Sequence, residues 1–380
     1  MNHASLLMVA LCAGALTGAV LHKENLSLEY GKKYDSNIIL PDSATGKAAL
    51  VTGLTVRPSL LLQINPATML RPELELSAEE EDAFPDNAVK RAGVTLTGRH
   101  LFSHLTMAGF RVAAQKNVSD NRYYATDDLQ AALTLGRYLD PRTNLEAGMT
   151  GAQKTFPTLY RNSITDRAKR SYYYDYREFE AEVTGNRLQN DWLTLFAELA
   201  GTYRDYYNDT HDSDYVGYLP VINYINIYGD TVYYSPADTA IPLYAPNIHQ
   251  KDQSLSLALS AAMTPATGLT VTPRFSARAL FSNDDYFNAR TFSAGIFLRW
   301  RRAASSVRLS YDILQDRYPD RVYDDDGRIE TMQTVALTYG YNLSSELQLQ
   351  CSYVLRSFDS TADFDDYIKK VIGVSLAWSR

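Results

Sequence analysis

Charged side chains in this chain recur at every second position within short segments, and that spacing limits what chemistry they can do. Glu178, Glu180 and Glu182 are two apart, as are Arg299 and Arg301, and Glu73 and Glu75. Side chains spaced this way share one face of an extended strand. With Glu146 and Glu198, the acids gather on segments 143–206. Arg274, Arg278 and Arg308 join Arg299 and Arg301 on segments 268–316, together with Asp312. Arg57, Arg71, Arg99 and Arg111 mix with Glu73 and Glu75 on segments 51–117, and Gln348, Gln350 and Arg356 share one parity on 346–357. Opposite charges on separated arcs of an aqueous wall would set up a transverse field that orients dipolar solutes and tunes ion preference. The plainer reading is neutralisation in ladders across neighbouring strands. Both can hold at once.

Other chemistry finds less support. The six histidines are His3, His22, His100, His104, His211 and His249. His211 and His249 lie at the ends of one long connector near Asp209, Asp212 and Asp214, but no nucleophile motif accompanies them. The chain carries no glycine-rich phosphate loop and no scaffolded pair of catalytic carboxylates, so the reading is non-enzymatic and without cofactor. Asp324-x-Asp326-Gly327-x-x-Glu330 has oxygen ligands and a turn glycine but lacks the full calcium-loop spacing, and it reads as a solvated acidic loop. Cys12 and Cys351 are the only cysteines, and no Cys/His cluster has zinc-ligand spacing, so no metal is expected. A net charge of −7 argues against a nucleic-acid partner. Arg299-Trp300-Arg301-Arg302 reads instead as interfacial anchoring, with the indole at headgroup level.

The elements that position these charges announce themselves by alternation. Ile372, Val374, Leu376 and Trp378 alternate with Gly373, Ser375 and Ala377; Leu347, Leu349, Cys351 and Tyr353 alternate with Gln348, Gln350 and Ser352. The same beat carries Leu54, Val56, Leu60 and Leu62; Leu129, Ala131, Leu133 and Leu135; Phe292, Ala294, Ile296, Leu298 and Trp300; and Val307, Leu309, Tyr311 and Ile313. Candidate strands fall near 25–38, 51–64, 68–78, 91–102, 105–117, 128–138, 143–155, 172–186, 191–206, 252–263, 268–282, 290–301, 305–316, 330–341, 346–357 and 367–379. Connectors sort strictly by length. Turns such as Asn65-Pro66-Ala67, Asp140-Pro141-Arg142 and Pro265-Ala266-Thr267 alternate with longer acidic or aromatic ones: 39–50, 79–90, 118–127, 156–171, 207–251, 283–289, 317–329 and 358–366.

Short turns on one side and long loops on the other are the habit of outer-membrane barrels, whose strands of about ten residues cross the lipid at a tilt. The reading is therefore all-β: one closed antiparallel transmembrane barrel of about sixteen strands (fourteen to eighteen), both termini periplasmic. Oily residues face lipid and charged ones the lumen. Leu133, Phe292, Ile296, Leu298, Trp300, Leu309, Tyr311, Leu349, Leu376 and Trp378 are the lipid-facing candidates. Pro58, Pro72 and Pro273 each delete a ladder donor and are expected at strand ends or bulges. Tyrosine, at 28 residues, suits headgroup belts. Residues 5–21 form an apolar run, read as a signal peptide over 1–21 cleaved near Ala19, with the barrel spanning 22–380. The 207–251 connector is the long extracellular loop, and Val221–Ile227 followed by Thr231–Tyr234 reads as a hairpin within it.

Leu26-Ser27-Leu28-Glu29-Tyr30-Gly31, Tyr34-Asp35-Ser36-Asn37, Pro41-Asp42 and the run Thr55-Val56-Arg57-Pro58-Ser59-Leu60 resemble the opening of the β-barrel porin 2 group of outer-membrane families. Gly136-Arg137-Tyr138-Leu139-Asp140-Pro141-Arg142 is similar to their recurrent strand-to-turn ending. The resemblance implies an outer-membrane barrel of a Gram-negative bacterium, sometimes associated with exopolysaccharide export. Trp378 is followed by Ser379-Arg380, where the usual barrel signature ends on an aromatic residue. Two functions stand open: a porin-like channel for small polar solutes or saccharides, and a non-conducting scaffold, adhesin or export partner using the 207–251 loop. Expected partners are outer-membrane lipids, lipopolysaccharide and, during insertion, the barrel-assembly machinery.

Overall fold

Alternation of side chains leaves each segment with one greasy and one polar edge, and a closed ring satisfies both edges while leaving no strand unpaired. A computed structural model describes residues 20–35, 49–82, 88–119, 125–156, 175–206, 224–225, 231–232, 251–283, 288–323, 326–361 and 367–379. Its strands are β1 (Val20–Asp35), β2 (Ala49–Asn65), β3 (Thr68–Glu81), β4 (Val89–Leu101), β5 (Thr106–Val118), β6 (Thr126–Asp140), β7 (Thr143–Thr155), β8 (Tyr176–Asn190) and β9 (Leu193–Tyr206). After a short pair, β10 (Tyr224–Ile225) and β11 (Thr231–Val232), come β12 (Lys251–Ala266), β13 (Leu269–Ser282), β14 (Ala289–Arg302) and β15 (Ser305–Tyr323). The ring ends with β16 (Asp326–Asn342), β17 (Leu347–Ser360) and β18 (Tyr367–Ser379). Sixteen of them form a closed antiparallel barrel in which β9 pairs with β12 and β18 closes on β1. The pair β10–β11 stands apart from the ring, within the 207–251 connector.

Local chemistry sets the short turns. Asn65, Asp140 and Asn190 each accept, through Oδ1, the backbone N–H two residues on: Ala67 at 2.9 Å, Arg142 at 2.7 Å and Trp192 at 3.1 Å. Such Asx turns fix the reversal and with it the register of the flanking strands. At the next two reversals the chain uses positive φ instead, at Gly268 (79°) and Ala303 (49°). The Arg142 N–H also holds the fully exposed Asp140 carboxyl below its ordinary value.

The register assigns every side chain to a face. Leu133 is opposite Phe110 and Met149, Ile296 opposite Pro273 and Tyr311, and Leu349 opposite Tyr341 and Leu376. This set carries most of the exposed large apolar residues, Leu133 at 65% among them, and no large side chain is fully buried among the described residues. Two packed layers would bury such residues in a dry middle. Here they form a continuous outer belt far larger than water tolerates on a soluble surface, so the belt is a lipid contact. Trp300 and Trp378 lie outward near the short-turn end, where Trp378 Nε1 donates to Glu346 at 3.2 Å. Lys32 and Lys370 also project outward, each within four residues of a long-connector end. From there their stems can carry the ammonium to the headgroups.

Three expectations need correction. The prolines are not at strand ends or bulges: Pro58, Pro72 and Pro273 lie inside β2, β3 and β13, all outward. In an antiparallel ladder each N–H serves one neighbour only. Pairing of Pro58 with β1, Pro72 with β4 and Pro273 with β14 continues, while the ladder is interrupted towards β3, β2 and β12 respectively. The connector read at 317–329 is mostly strand, because β15 and β16 run on and pair Tyr318 with Arg328 and, past a register shift, Tyr323 with Asp326. The strand read at 172–186 is Tyr176–Asn190, four residues later, since Asn190 caps the turn at Asp191-Trp192. Strand β1 starts at Val20, directly after Ala19.

Candidate functional site

Barrel closure brings together charges that are far apart in the chain. Arg57, Arg71, Glu73, Arg99, Arg111, Glu146, Glu178, Glu180, Glu182 and Glu198 all take the parity opposite to the apolar belt. So do Arg274, Arg278, Arg299, Arg301, Arg308, Asp312, Gln348, Gln350 and Arg356. A cavity of about 780 Å³ opens on that face. Strands from β8 to β17 bound it, with Phe196, Glu198, Arg274, Asp312, Thr334 and Arg356 on its wall. A concavity walled by eight strands of one ring is its lumen.

The wall divides into three sectors with different electrostatics. From β2 to β4, charges alternate in sign and pair: Arg57 Nε meets Glu75 at 2.8 Å, Arg71 meets Glu73 at 3.1 Å and Arg91 reaches Glu75 at 3.9 Å. This sector is a neutralised ladder. Arg99 and Arg111, on β4 and β5, face Gly109 and Thr97 across the β4–β5 ladder and carry no ion pair among the described residues.

The second sector is acidic. Glu146, Thr184 and Glu198 follow one another across β7, β8 and β9, and Glu182 lies between Gly148 and Ala200 one step further along. Gly148 permits this, because any Cβ there would crowd the Glu182 carboxylate. Glu146, Glu182 and Glu198 have no ion pair among the described residues. Glu180 accepts from Thr202 at 3.4 Å.

The third sector is basic. Arg299 stands directly opposite Arg308, and Arg299 and Arg301 line a second cavity of about 420 Å³ beside the Gly268 turn. Two inward acids on β15 temper this sector: Asp316 accepts from Thr291 Oγ1, and Arg274 Nε donates to Asp312 Oδ1 at 2.9 Å, reaching from β13 over β14 to β15. Gly295 stands between them in the register, and a Cβ on it would overlap Asp312 Oδ1. Between the acidic and basic sectors the wall is small and hydroxylic, with Ala200, Ser256, Ala258 and Ser260, then Ser276 and Ser293 whose hydroxyls meet at 2.6 Å.

Towards the long-connector end, sequence reasoning missed a cluster. Arg204 Nε donates to Glu178 at 2.7 Å, Nη1 donates to Tyr206 Oη at 3.1 Å, and the guanidinium lies 4.5 Å from the Tyr176 ring centroid. Extending the parity of Glu198 six residues would have found Arg204. Lys369 and Asp35, joined at 2.7 Å across the β18–β1 closure, were missed as well. The described tyrosines divide between faces: Tyr138, Tyr176, Tyr206 and Tyr318 point in, while Tyr30, Tyr34, Tyr203, Tyr311, Tyr339, Tyr341 and Tyr353 point out. His100 shares a 2.8 Å hydrogen bond with Thr68 on the outer face. His211, His249, Asp209, Asp212, Asp214 and most of the 207–251 loop lie outside the described residues, as does Cys12; Cys351 is exposed on the outer face.

No family model and no curated protein matches the sequence. Solved structures do match. The outer membrane protein opdK from Pseudomonas aeruginosa aligns at 8% identity and TM-score 0.51, covering 95% of this chain and 100% of that one. OccAB4 of Acinetobacter baumannii aligns at 8% and 0.50, covering 95% and 99%. In-vitro folded OmpT, an outer membrane protein of Vibrio cholerae, aligns at 10% and 0.50, covering 94% and 97%. Identities this low speak to fold alone. The fold is that of an outer-membrane β-barrel, and together with the apolar belt it places the chain in an outer membrane.

Proposed function

We propose that this barrel is a porin-like channel passing small polar solutes or saccharides across the outer membrane of a Gram-negative bacterium. One observation carries the reading: the lumen wall sets Glu146, Glu182 and Glu198, without an ion pair among the described residues, against Arg299, Arg301 and Arg308, with a hydroxylic strip between them and a cavity spanning Glu198 to Arg356. Unpaired carboxylates and guanidiniums stay charged only in contact with water, so this face supports an aqueous path. A dipolar solute on the strip would feel opposite potentials on its two sides and enter oriented. Serine hydroxyls and the Arg274–Asp312 pair offer donors and acceptors to sugar hydroxyls. The Tyr176–Arg204–Tyr206 cluster offers aromatic faces at one end of the path. The porin 2 resemblance agrees with a barrel of this kind.

Planar-bilayer recording of the refolded full chain tests the proposal. Steady open-channel current is the expected outcome. Electrical silence from a barrel that retains its folded electrophoretic mobility would contradict it and favour the scaffold reading.

A further inference from the structure

The outward ends of β14 and β15 hold an arrangement that a channel does not require. Arg290 on β14 stands directly opposite Arg317 on β15, both exposed and both on the lipid-facing side. Like charges opposite each other in an antiparallel pair repel. Elsewhere along this rim the chain avoids the problem: Lys116 meets Asp127 at 3.6 Å, and Asp205 stands in register with both Arg177 and Lys251. Among the described residues the hydrogen-bond partner at the arginine pair is neutral: Gln315 accepts from Arg317 Nε at 2.9 Å. The Arg317 guanidinium also lies 5.9 Å from the Phe292 ring centroid, which holds it against the upper edge of the apolar belt.

Depth along β14 says what meets these groups. Its outward face reads Arg290, Phe292, Ala294, Ile296, Leu298, Trp300, Arg302, five apolar positions closed by an arginine at each end. Twelve residues at ~3.3 Å each span about 40 Å of strand. A tilt of about 40° reduces this to about 30 Å across the membrane, a little more than an apolar band of ~25 Å. Arg290 and Arg317 therefore lie at headgroup level on the long-connector side, where the adjacent anions are phosphates. Two guanidinium forks on neighbouring strands can bind the oxygens of one phosphate, and the shared anion turns their repulsion into attraction.

We propose that Arg290 and Arg317 form a phosphate-binding pair on the outer wall of the barrel, occupied by the phosphate of a membrane glycolipid headgroup. The site rests on the membrane-barrel reading but not on solute passage. The test is native mass spectrometry of the full-length barrel, mixed in turn with bisphosphorylated lipid A, a dephosphorylated lipid A and inorganic phosphate. The wild-type barrel should retain one bisphosphorylated lipid through detergent removal, and R290Q/R317Q should lose at least fivefold of that adduct. K32Q/K370Q, on β1 and β18 about a quarter-turn round the ring, should keep it. Equal retention by wild type and R290Q/R317Q would overturn the proposal, as would equal retention of the dephosphorylated lipid. Capture of inorganic phosphate as strongly as lipid A would overturn the assignment to a headgroup. Insertion of both variants into phosphatidylcholine vesicles is scored alongside; failure of the wild type to insert would instead defeat the membrane-barrel reading beneath it.

Discussion

Reversing the charge of the facing pair Arg299 and Arg308 is the sharpest test of the lumen's electrostatics. R299E/R308E changes the lumen by four charge units, at two positions directly opposite each other on β14 and β15. In water a unit charge ~10 Å from a permeating ion contributes about 0.4 kcal/mol, so four units give about 1.7 kcal/mol. At 0.1 M salt, screening over a Debye length of ~10 Å leaves roughly a third of this, about 0.6 kcal/mol. The sign reverses between cation and anion. Their permeability ratio should therefore move by about 1.2 kcal/mol, roughly sevenfold towards cations. The assay is the reversal potential of single channels under a potassium chloride gradient at 0.1 M mean salt, repeated at 1 M, where the shift should nearly vanish. An open channel whose reversal potential stays put at 0.1 M would refute the transverse field and leave these arginines as ordinary wall charges.

Three further perturbations address other parts of the structure. Ile296→Arg puts a cation on the outer face of β14 midway along the apolar run and should cost ~2–4 kcal/mol, whereas Ser293→Arg on the inner face should cost under about 1 kcal/mol; urea unfolding from lipid vesicles compares them, and equal costs would contradict the assigned facing. Asp312→Asn removes a lumen carboxylate and should move ion preference towards anions, whereas Gly295→Val, which separates Asp312 from Arg274 without changing net charge, should move it less; an unchanged reversal potential in Asp312→Asn would show that the Arg274–Asp312 pair does not shape the path. Asp140, with its folded value depressed by the Arg142 N–H, contributes stability that is present above the ordinary carboxylate range and is lost as pH falls through the lowered value. Asp140→Asn should flatten the acid limb of the unfolding midpoint against pH, and an unaltered limb would count against the turn's role.

Most of the barrel was legible because its two demands are local. A residue that must face lipid and a neighbour that must face water differ in hydropathy, so the parity of Phe292 to Trp300 or of Leu129 to Leu135 could be read without knowing any partner strand. Segments 143–155 and 367–379 match β7 and β18 to the residue. Pairing is not local, and the errors follow from that. The extension of β15 and β16 past Arg317 depends on each strand supporting the other, and polar, acidic residues there look like loop when read singly. Pro58, Pro72 and Pro273 break a rule that holds for a strand bonded on both sides at the same residue, whereas an antiparallel ladder asks each N–H for only one neighbour. The charged wall shows the same boundary. That Arg274 and Asp312 face inward follows from alternation, but that they meet across Gly295 requires the register of three strands. Whether a charged face is laddered or segregated cannot be decided from composition, and here both occur, on different arcs of one ring.

The central claim is that one edge of each strand touches acyl chains and the other water, and spin-label accessibility along β14 measures it directly. On a Cys12→Ser/Cys351→Ser background, single nitroxides at positions 292 to 300 are compared in vesicles for collision with oxygen and with a water-soluble nickel chelate. Positions 292, 294, 296, 298 and 300 should favour oxygen, with 293, 295, 297 and 299 favouring the chelate. Loss of that alternation, or its inversion, would contradict the account.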